Sequence, residues 1–277
     1  MKTDKLVGLI PAAGSGKRLF PFAKAVPKEM YPILGKAVIE HCVENLRAGG
    51  VSKIFVIVGH QKGALMDYLG DGSLFGVKIA YIYQLDRKGP GAAVLQAKNW
   101  IDSTFVTLFG DSFIEPKEEI KNLIALHLKE KPIATVLLFE VKDPRGYGIV
   151  KFEDDKGVLN VKKLVEKPGE KQLKSLKTDG KYYAFCGVCV FEPEIFDYIS
   201  KTRPGLGGEI QITDAMMLAI KDGKRVNGLV LKGKYIDIGK WATVLRAEKE
   251  LLETHTLEFH VKEREKMAEV IQEKWGE

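Results

Sequence analysis

Between residues 5 and 110, short apolar runs alternate with stretches of helical periodicity, and that rhythm leaves few folds open. Leu6–Ile10 is a strand-like run of leucine and β-branched residues. Ala37, Val38, Cys42, Val43 and Leu46 then recur at helical spacing and stop at Gly49-Gly50, a helix-ending signal. Ile54–Val58, Val77–Tyr83 and Phe105–Phe109 repeat the strand pattern, with a helical stretch at Ala92–Trp100 between the last two. Strand and helix in turn predict an α/β fold, with a mainly parallel, Rossmann-like sheet and helices on both faces. From about residue 132 the texture changes. Ile133–Val141, Tyr147–Phe152, Val158–Val165 and Tyr182–Phe191 are strand-like with short connections, which predicts a smaller antiparallel β region. Helical stretches at Pro193–Ser200 and Ile212–Lys221 interrupt it, and from about residue 240 the chain reads as a helical segment. There Met267, Val270, Ile271 and Trp275 share one face, to pack on the domain itself or to meet another subunit. The expected division is a domain over 1–240, in halves of about 1–130 and 131–240, followed by a C-terminal helical segment over 241–277.

Composition narrows the class. A chain of 277 residues with 45% hydrophobic and 29% charged residues is an ordinary globular protein, which excludes intrinsic disorder. No apolar run approaches the ~20 residues of a membrane span. Met1–Lys5 leads straight into a short strand, so no signal peptide is expected. Cys42, Cys186 and Cys189 are too few for a disulfide framework, which points to a reducing, cytoplasmic setting. Cys186 and Cys189 have no second pair or nearby histidine for a metal, and read as buried strand residues.

The net charge is +6, but most of the 43 basic residues are lysines interleaved with glutamates, as on a solvated surface. Basic runs interleaved with aromatics are absent, so nucleic acid is not an expected partner. One local concentration stands out: over residues 11–36, Lys17, Arg18, Lys24, Lys28 and Lys36 face the single acid Glu29, among four prolines. This segment follows the first strand, and the ligands of such sheets sit beyond the C-terminal strand ends. Within it, Gly14-Ser15-Gly16-Lys17-Arg18-Leu19 offers backbone N–H groups that phosphate oxygens can approach closely. Two phosphate-binding signatures fail. The dinucleotide fingerprint needs glycine where Leu19 stands, and the Walker A loop needs Ser or Thr where Arg18 stands. Pro21 also argues against an immediate helix. Several fixed cations on a long non-helical loop suit a polyphosphate.

Pro11-Ala12-Ala13-Gly14-Ser15-Gly16-Lys17-Arg18-Leu19, with Lys24-Ala25-Val26-Pro27-Lys28-Glu29-Met30-Tyr31-Pro32, resembles the signature of sugar-1-phosphate nucleotidyltransferases. Further matches follow in order: Gly110-Asp111, Tyr147-Gly148, Val165-Glu166-Lys167-Pro168, Gly208–Ala215 and Asp237-Ile238-Gly239. The resemblance runs from about residue 6 to about 250. Within the family, Lys24–Met30 and Glu209–Ala215 are most similar to glucose-1-phosphate uridylyltransferases, whereas the compact stretch from Gly70 to Gly91 resembles thymidylyltransferases. The resemblance implies transfer of a nucleotidyl group from UTP to glucose 1-phosphate, with dTTP as the alternative donor. A non-catalytic homologue that binds nucleotide sugar is the alternative of another class. It further implies a nucleotide-binding first half, a sugar-binding second half and a homo-dimer or homo-tetramer.

The chemistry agrees with the residues. A sugar phosphate is already ionised near neutral pH, so its attack on an α-phosphorus needs no general base, only positioning and charge neutralisation. His41, His60, His127, His255 and His260 all fall outside the motifs. Arg18, with a planar fork, and Lys28, a point charge, are the candidates for the triphosphate. Asp111 and Asp237 close strands, where an aspartate usually caps a turn. Brought together they would offer Mg²⁺ two oxygens and leave room for water and phosphate, the role the resemblance gives them. Ser112 departs from the acidic or amide residue usual after the first aspartate. By resemblance, Arg18, Lys28 and Asp111 are catalytic, and Ala12, Ala13, Gly14, Gly16, Lys17, Gln84 and Gly89 bind the nucleotide. Gly148 and Glu166 meet the sugar and Lys167 its phosphate. A Gln84 amide could satisfy both edges of a uracil-type ring, although it could equally be the polar end of an edge strand. Thr213-Asp214 reads as a helix start, so the 208–215 motif is assigned to pocket wall and structure.

Overall fold

The computed structural model describes residues 6–252 and, beyond them, only the helical positions 265, 269, 272 and 273. The expected features at Met1–Lys5, His255, His260, Met267, Val270, Ile271 and Trp275 lie outside the described residues.

The chain opens with β1 (Val7–Pro11), the short helix α1 (Phe22–Ala25) and a small hairpin, β2 (Pro32–Ile33) with β3 (Lys36–Ala37). It continues through α2 (Val38–Ala48), β4 (Lys53–Val58), α3 (Gly63–Leu69), β5 (Lys78–Tyr83), α4 (Pro90–Leu95), β6 (Phe105–Leu108), β7 (Ser112–Glu115) and α5 (Glu118–Glu130). The second half holds β8 (Ala134–Val141), β9 (Gly148–Asp155), β10 (Val158–Glu166), α6 (Glu170–Leu173), β11 (Tyr182–Phe191), α7 (Ile195–Lys201) and α8 (Ile212–Lys221). It ends with β12 (Val226–Val230), β13 (Lys234–Asp237) and α9 (Trp241–Leu252).

The main sheet has nine strands in the order β5-β4-β1-β6-β11-β8-β12-β10-β9, so one sheet runs through both halves. It is mixed, which corrects the mainly parallel expectation. Neighbours are parallel within β5-β4-β1-β6 and again at β8–β12, and antiparallel at the remaining pairings. The physical reason is β11: its C-terminal part lies between β6 and β8 and its N-terminal part also reaches β9, with a register break between Phe185 and Cys189. No crossover helix separates β9 from β10; a tight turn through Gly157 joins them, and a direct turn can only return the chain antiparallel.

Both faces of the sheet are covered, as the unbroken apolar runs of a two-sided sheet require. Along β1, Ile10 joins the cluster packed by α2 and α5, and Leu9 joins the cluster packed by α4, α7 and α8. β11 divides likewise: Val188 and Val190 face one layer, Cys189 and Phe191 the other. All three cysteines are buried and unbonded. Phe105 is fully buried, stacked on Phe196 at 4.9 Å between ring centres and next to Phe191 at 5.5 Å. No helix among the described residues is long and apolar enough to cross a membrane.

Two packing details aim the fold at one end of the sheet. β1 has β4 on one side and β6 on the other, so the strand order reverses around it, and such a switch point opens a crevice at the strand ends. There the Ala12 N–H donates to Ile57 at 2.8 Å and the Gly110 N–H to Pro11 at 3.1 Å. Separately, β7 and β13 pair antiparallel with Asp237 opposite Ser112. Phe105→Ala should lower unfolding free energy by about 3–5 kcal/mol, because deleting a fully buried ring leaves a cavity. Urea denaturation measures this, and a loss below ~1 kcal/mol would contradict the packing described.

Candidate active site

The segment after β1 is not wholly irregular, as its prolines and glycines suggested. It folds into 3-10 turns at Lys17–Leu19 and Lys28–Met30, with α1 between them, and Pro21 sits at the start of α1 where a missing N–H costs nothing. α9 covers this loop: the Trp241 Nε1–H donates to the Phe20 carbonyl at 3.2 Å, and the Tyr31 hydroxyl to Glu248 at 2.7 Å.

Two cavities lie side by side at the switch point. The first, of about 340 Å³, is walled by Ala13, Gly14, Arg18, Lys28, Gln84, Gly89 and Asp111, with Arg87 and Glu209. The second, of about 190 Å³, is walled by Gly148, Glu166, Lys167, Asp237, Tyr147, Gln211, Thr213 and Tyr235. Arg18, Pro90, Phe109 and Asp111 belong to both. Ala12 is buried behind this wall, and Lys17 and Lys24 are exposed to solvent; none of the three, nor Gly16, lines either cavity.

At the seam, the Lys28 ammonium contacts the Asp111 carboxylate. Burial pushes the Lys28 pKa down, but Asp111, Glu29 and Asp237 outweigh it and hold the ammonium above the ordinary lysine range. Asp237 arrives on β13, and the Ile238 N–H donates to the Asp111 carbonyl at 2.9 Å. Burial first, then the like charge of Asp111, raises the Asp237 carboxyl; Lys28, Arg18 and Lys240 oppose the shift. Two carboxylates that repel each other at the mouth of a phosphate-sized cleft are a donor set suited to a hard divalent cation. A Mg²⁺ ion is usually held by one or two carboxylates and takes its other ligands from water and phosphate. Among the described residues no cluster of three or more His, Cys, Asp or Glu forms a metal site, so a larger protein cage is absent there.

Gln84 is 3% exposed at the end of β5, and its Nε2 has no partner in the fold, so an amide donor is left for a ligand. Gly89 has a φ of 98°, and a Cβ there would lie 2.6 Å from Glu209 Cβ and 2.9 Å from the Ile210 nitrogen. The close approach joins the halves: Ile210 N–H donates to Lys88 at 2.7 Å and Gly91 N–H to Ile210 at 2.8 Å. The 208–215 motif thus walls both cavities, as its reading as pocket wall expects, with Glu209 on the first and Thr213 on the second. Thr213 is 1% exposed with an unpartnered hydroxyl. Gly148 lies close beside it: a Cβ there would be 2.9 Å from the movable Glu166 Oε2 and 3.2 Å from Thr213 Cγ2.

Burial raises the Glu166 pKa, helped by Asp214 and Glu209 and opposed by Lys167. Lys167 holds a left-handed φ of 43°, and its N–H donates to Tyr147 at 3.0 Å. A non-glycine residue in that region is strained, and such strain gathers at functional sites. The described histidines with buried rings serve packing: His41 bonds the Ile33 carbonyl at 2.8 Å, and His127 bonds Thr135 at 2.8 Å and Glu192 at 3.1 Å.

Residues 7–254 match the family described as nucleotidyl transferase. The chain is 35% identical over 252 residues to the low-salt glycan biosynthesis nucleotidyltransferase Agl11 of Haloferax volcanii, covering 90% of this chain and 67% of that one. It is 33% identical over 269 residues to a Methanocaldococcus jannaschii protein provisionally named UTP–glucose-1-phosphate uridylyltransferase, covering 88% and 92%. Among solved structures, a UDP-glucose pyrophosphorylase complexed with UDP-glucose superposes with a TM-score of 0.79 at 29% identity, over 90% of this chain and 99% of that one. Relatives named thymidylyltransferase and bifunctional GlmU match the same stretch, and the chain spans about half the length of the GlmU proteins.

Gly89→Ala should part the 88–91 turn from the 209–211 segment and cost about 1–3 kcal/mol of stability through backbone strain. An unchanged urea midpoint would contradict the contact.

Proposed function

Because the chain belongs to the nucleotidyl transferase family, among those that act on sugar 1-phosphates, we propose that it transfers the uridylyl group of UTP to glucose 1-phosphate, releasing UDP-glucose and pyrophosphate. The observation that carries this reading is the shared wall: Arg18 and Asp111 line both cavities, so ligands in the two would meet at one point. The first cavity takes the nucleotide, its base against the free Gln84 amide and its phosphates toward Gly14, Arg18 and Lys28. The second takes the sugar phosphate, with Glu166 accepting from sugar hydroxyls and Lys167 facing the phosphate.

A phosphate oxygen of the sugar 1-phosphate attacks the α-phosphorus in line, the new P–O bond forming as the bond to the β-phosphate oxygen breaks. No proton moves, which fits a site without a histidine among the residues lining it. Arg18 and Lys28 hold the oxygens that gain charge, and fixed cations in a sheltered cleft act more strongly there than in water. Asp111 and Asp237 would hold Mg²⁺, which when bound supplies charge neutralisation beyond what the side chains provide.

Purified protein given each triphosphate with glucose 1-phosphate should release pyrophosphate with kcat/KM for UTP at least about tenfold above dTTP. The reverse order would favour the thymidylyl reading, and no turnover with either would leave a binding homologue. Asp111→Ala and Asp237→Ala should each lower kcat by about 10²–10³-fold, and undiminished activity in both would contradict their role. The raised pKa of Glu166 also has a signed consequence. As pH falls through it the carboxylate gains a proton and ceases to be a pure acceptor, so KM for the sugar phosphate should rise at low pH. Glu166→Gln should lose that limb, and a limb kept in the variant would assign it to the substrate phosphate.

A further inference from the structure

Beneath the Lys28 turn lies an ion pair that the proposed reaction does not use. Glu29 follows Lys28 in the 3-10 turn and is 1% exposed, with one edge on the wall of the first cavity. Lys62, beyond the end of β4, is 5% exposed and brings its Nζ to 2.5 Å from Glu29 Oε2. Taking two charges out of water is costly, so a buried pair is weak evidence for stability; apolar residues of similar volume often do as well. Lys62 also sits immediately before α3, where the positive end of the helix disfavours a cation. Its placement answers to Glu29, not to its own helix.

Burial raises the Glu29 carboxyl and lowers the Lys62 ammonium, and each opposes the shift of the other; the charge of Lys28 also holds Glu29 down. Lys62 is the ammonium in contact with Glu29, whereas the Lys28 ammonium contacts Asp111. Charges therefore alternate from the interior to the cleft: Lys62, Glu29, Lys28, Asp111. Without Lys62, the buried Glu29 carboxylate would be left unpaired, and the neighbouring cation able to relieve it is Lys28.

We propose that Lys62 is a buried counter-ion that keeps Glu29 occupied, so that the Lys28 ammonium faces the cleft and stays available to phosphate. Lys62 is a positioning residue and touches no substrate. The inference rests on the reading of Lys28 as a phosphate-binding group.

The test uses the full chain and four variants, with kcat measured at saturating substrates and folding followed by circular dichroism. Lys28→Met should be folded and nearly inactive; a fully active Lys28→Met would sink the underlying site reading and this inference with it. Lys62→Met should lower kcat by at least about tenfold, because Glu29 then draws Lys28 inward. Glu29→Gln should stay within about threefold of wild type, and adding Glu29→Gln to Lys62→Met should restore kcat to that range. A lysine that bound phosphate directly would leave the double variant as impaired as Lys62→Met, and a purely structural pair would lower stability while the folded Lys62→Met kept wild-type kcat. Either result overturns the proposal. Should Lys62→Met fail to fold at the assay temperature, its kcat is read relative to wild type at a lower temperature where circular dichroism shows it folded: a loss of about tenfold supports the counter-ion role, and wild-type kcat there, or an inactive double variant, overturns it.

Discussion

The contact of the Lys28 ammonium with Asp111, beside the like charge of Asp237, is the constraint around which the site is built. Two carboxylates in a half-buried cleft repel one another, and more strongly than they would in open water. The fold accepts that cost because Asp237 is fixed from the backbone: β13 pairs with β7, and the Ile238 N–H is bonded to the Asp111 carbonyl. Three cations from two places offset it. Lys28 and Arg18 come from the loop after β1, and Lys240 from the start of α9. α9 also clamps that loop through Trp241 and Tyr31, so the segment that carries the negative charge and the segment that answers it are tied together.

The sheet supplies the geometry. Because strand order reverses at β1, the loops after β1 and β6 diverge and leave a crevice, and the antiparallel strands on the far side of β11 wall off a second chamber against it. A reaction between two phosphates needs little more than this. In the proposed reaction the nucleophile arrives ionised, so what is left to the protein is bringing two polyanions to one place and neutralising them. Arg18 and Asp111, common to both chambers, occupy that place.

Much of this was legible in the residues. The strand at Leu6–Ile10, the glycine turn with Arg18 and Lys28 behind it, and the carboxylates at strand ends all follow from local pattern and chemistry. The direction of β11 did not, because an apolar run says nothing of which neighbours it meets, and this strand meets three. β7, and its pairing with the strand that ends at Asp237, escaped for a similar reason: four residues each, paired across more than a hundred positions. The cations around the loop divide only in three dimensions. Lys17 and Lys24 look no different in sequence from Lys28, yet they point to solvent while Lys28 lies in the cleft wall. Glu29 reads as a lone acid among cations until its burial against Lys62 is seen.

The central claim is that the two phosphates meet directly, with no nucleophile from the protein between them. The stereochemical course at the α-phosphorus tests it. With a chiral α-thiotriphosphate of the accepted nucleotide and the sugar 1-phosphate, one in-line displacement should yield product with inverted configuration at phosphorus. Retention would mean two displacements through a nucleotidylated protein, and would contradict the account.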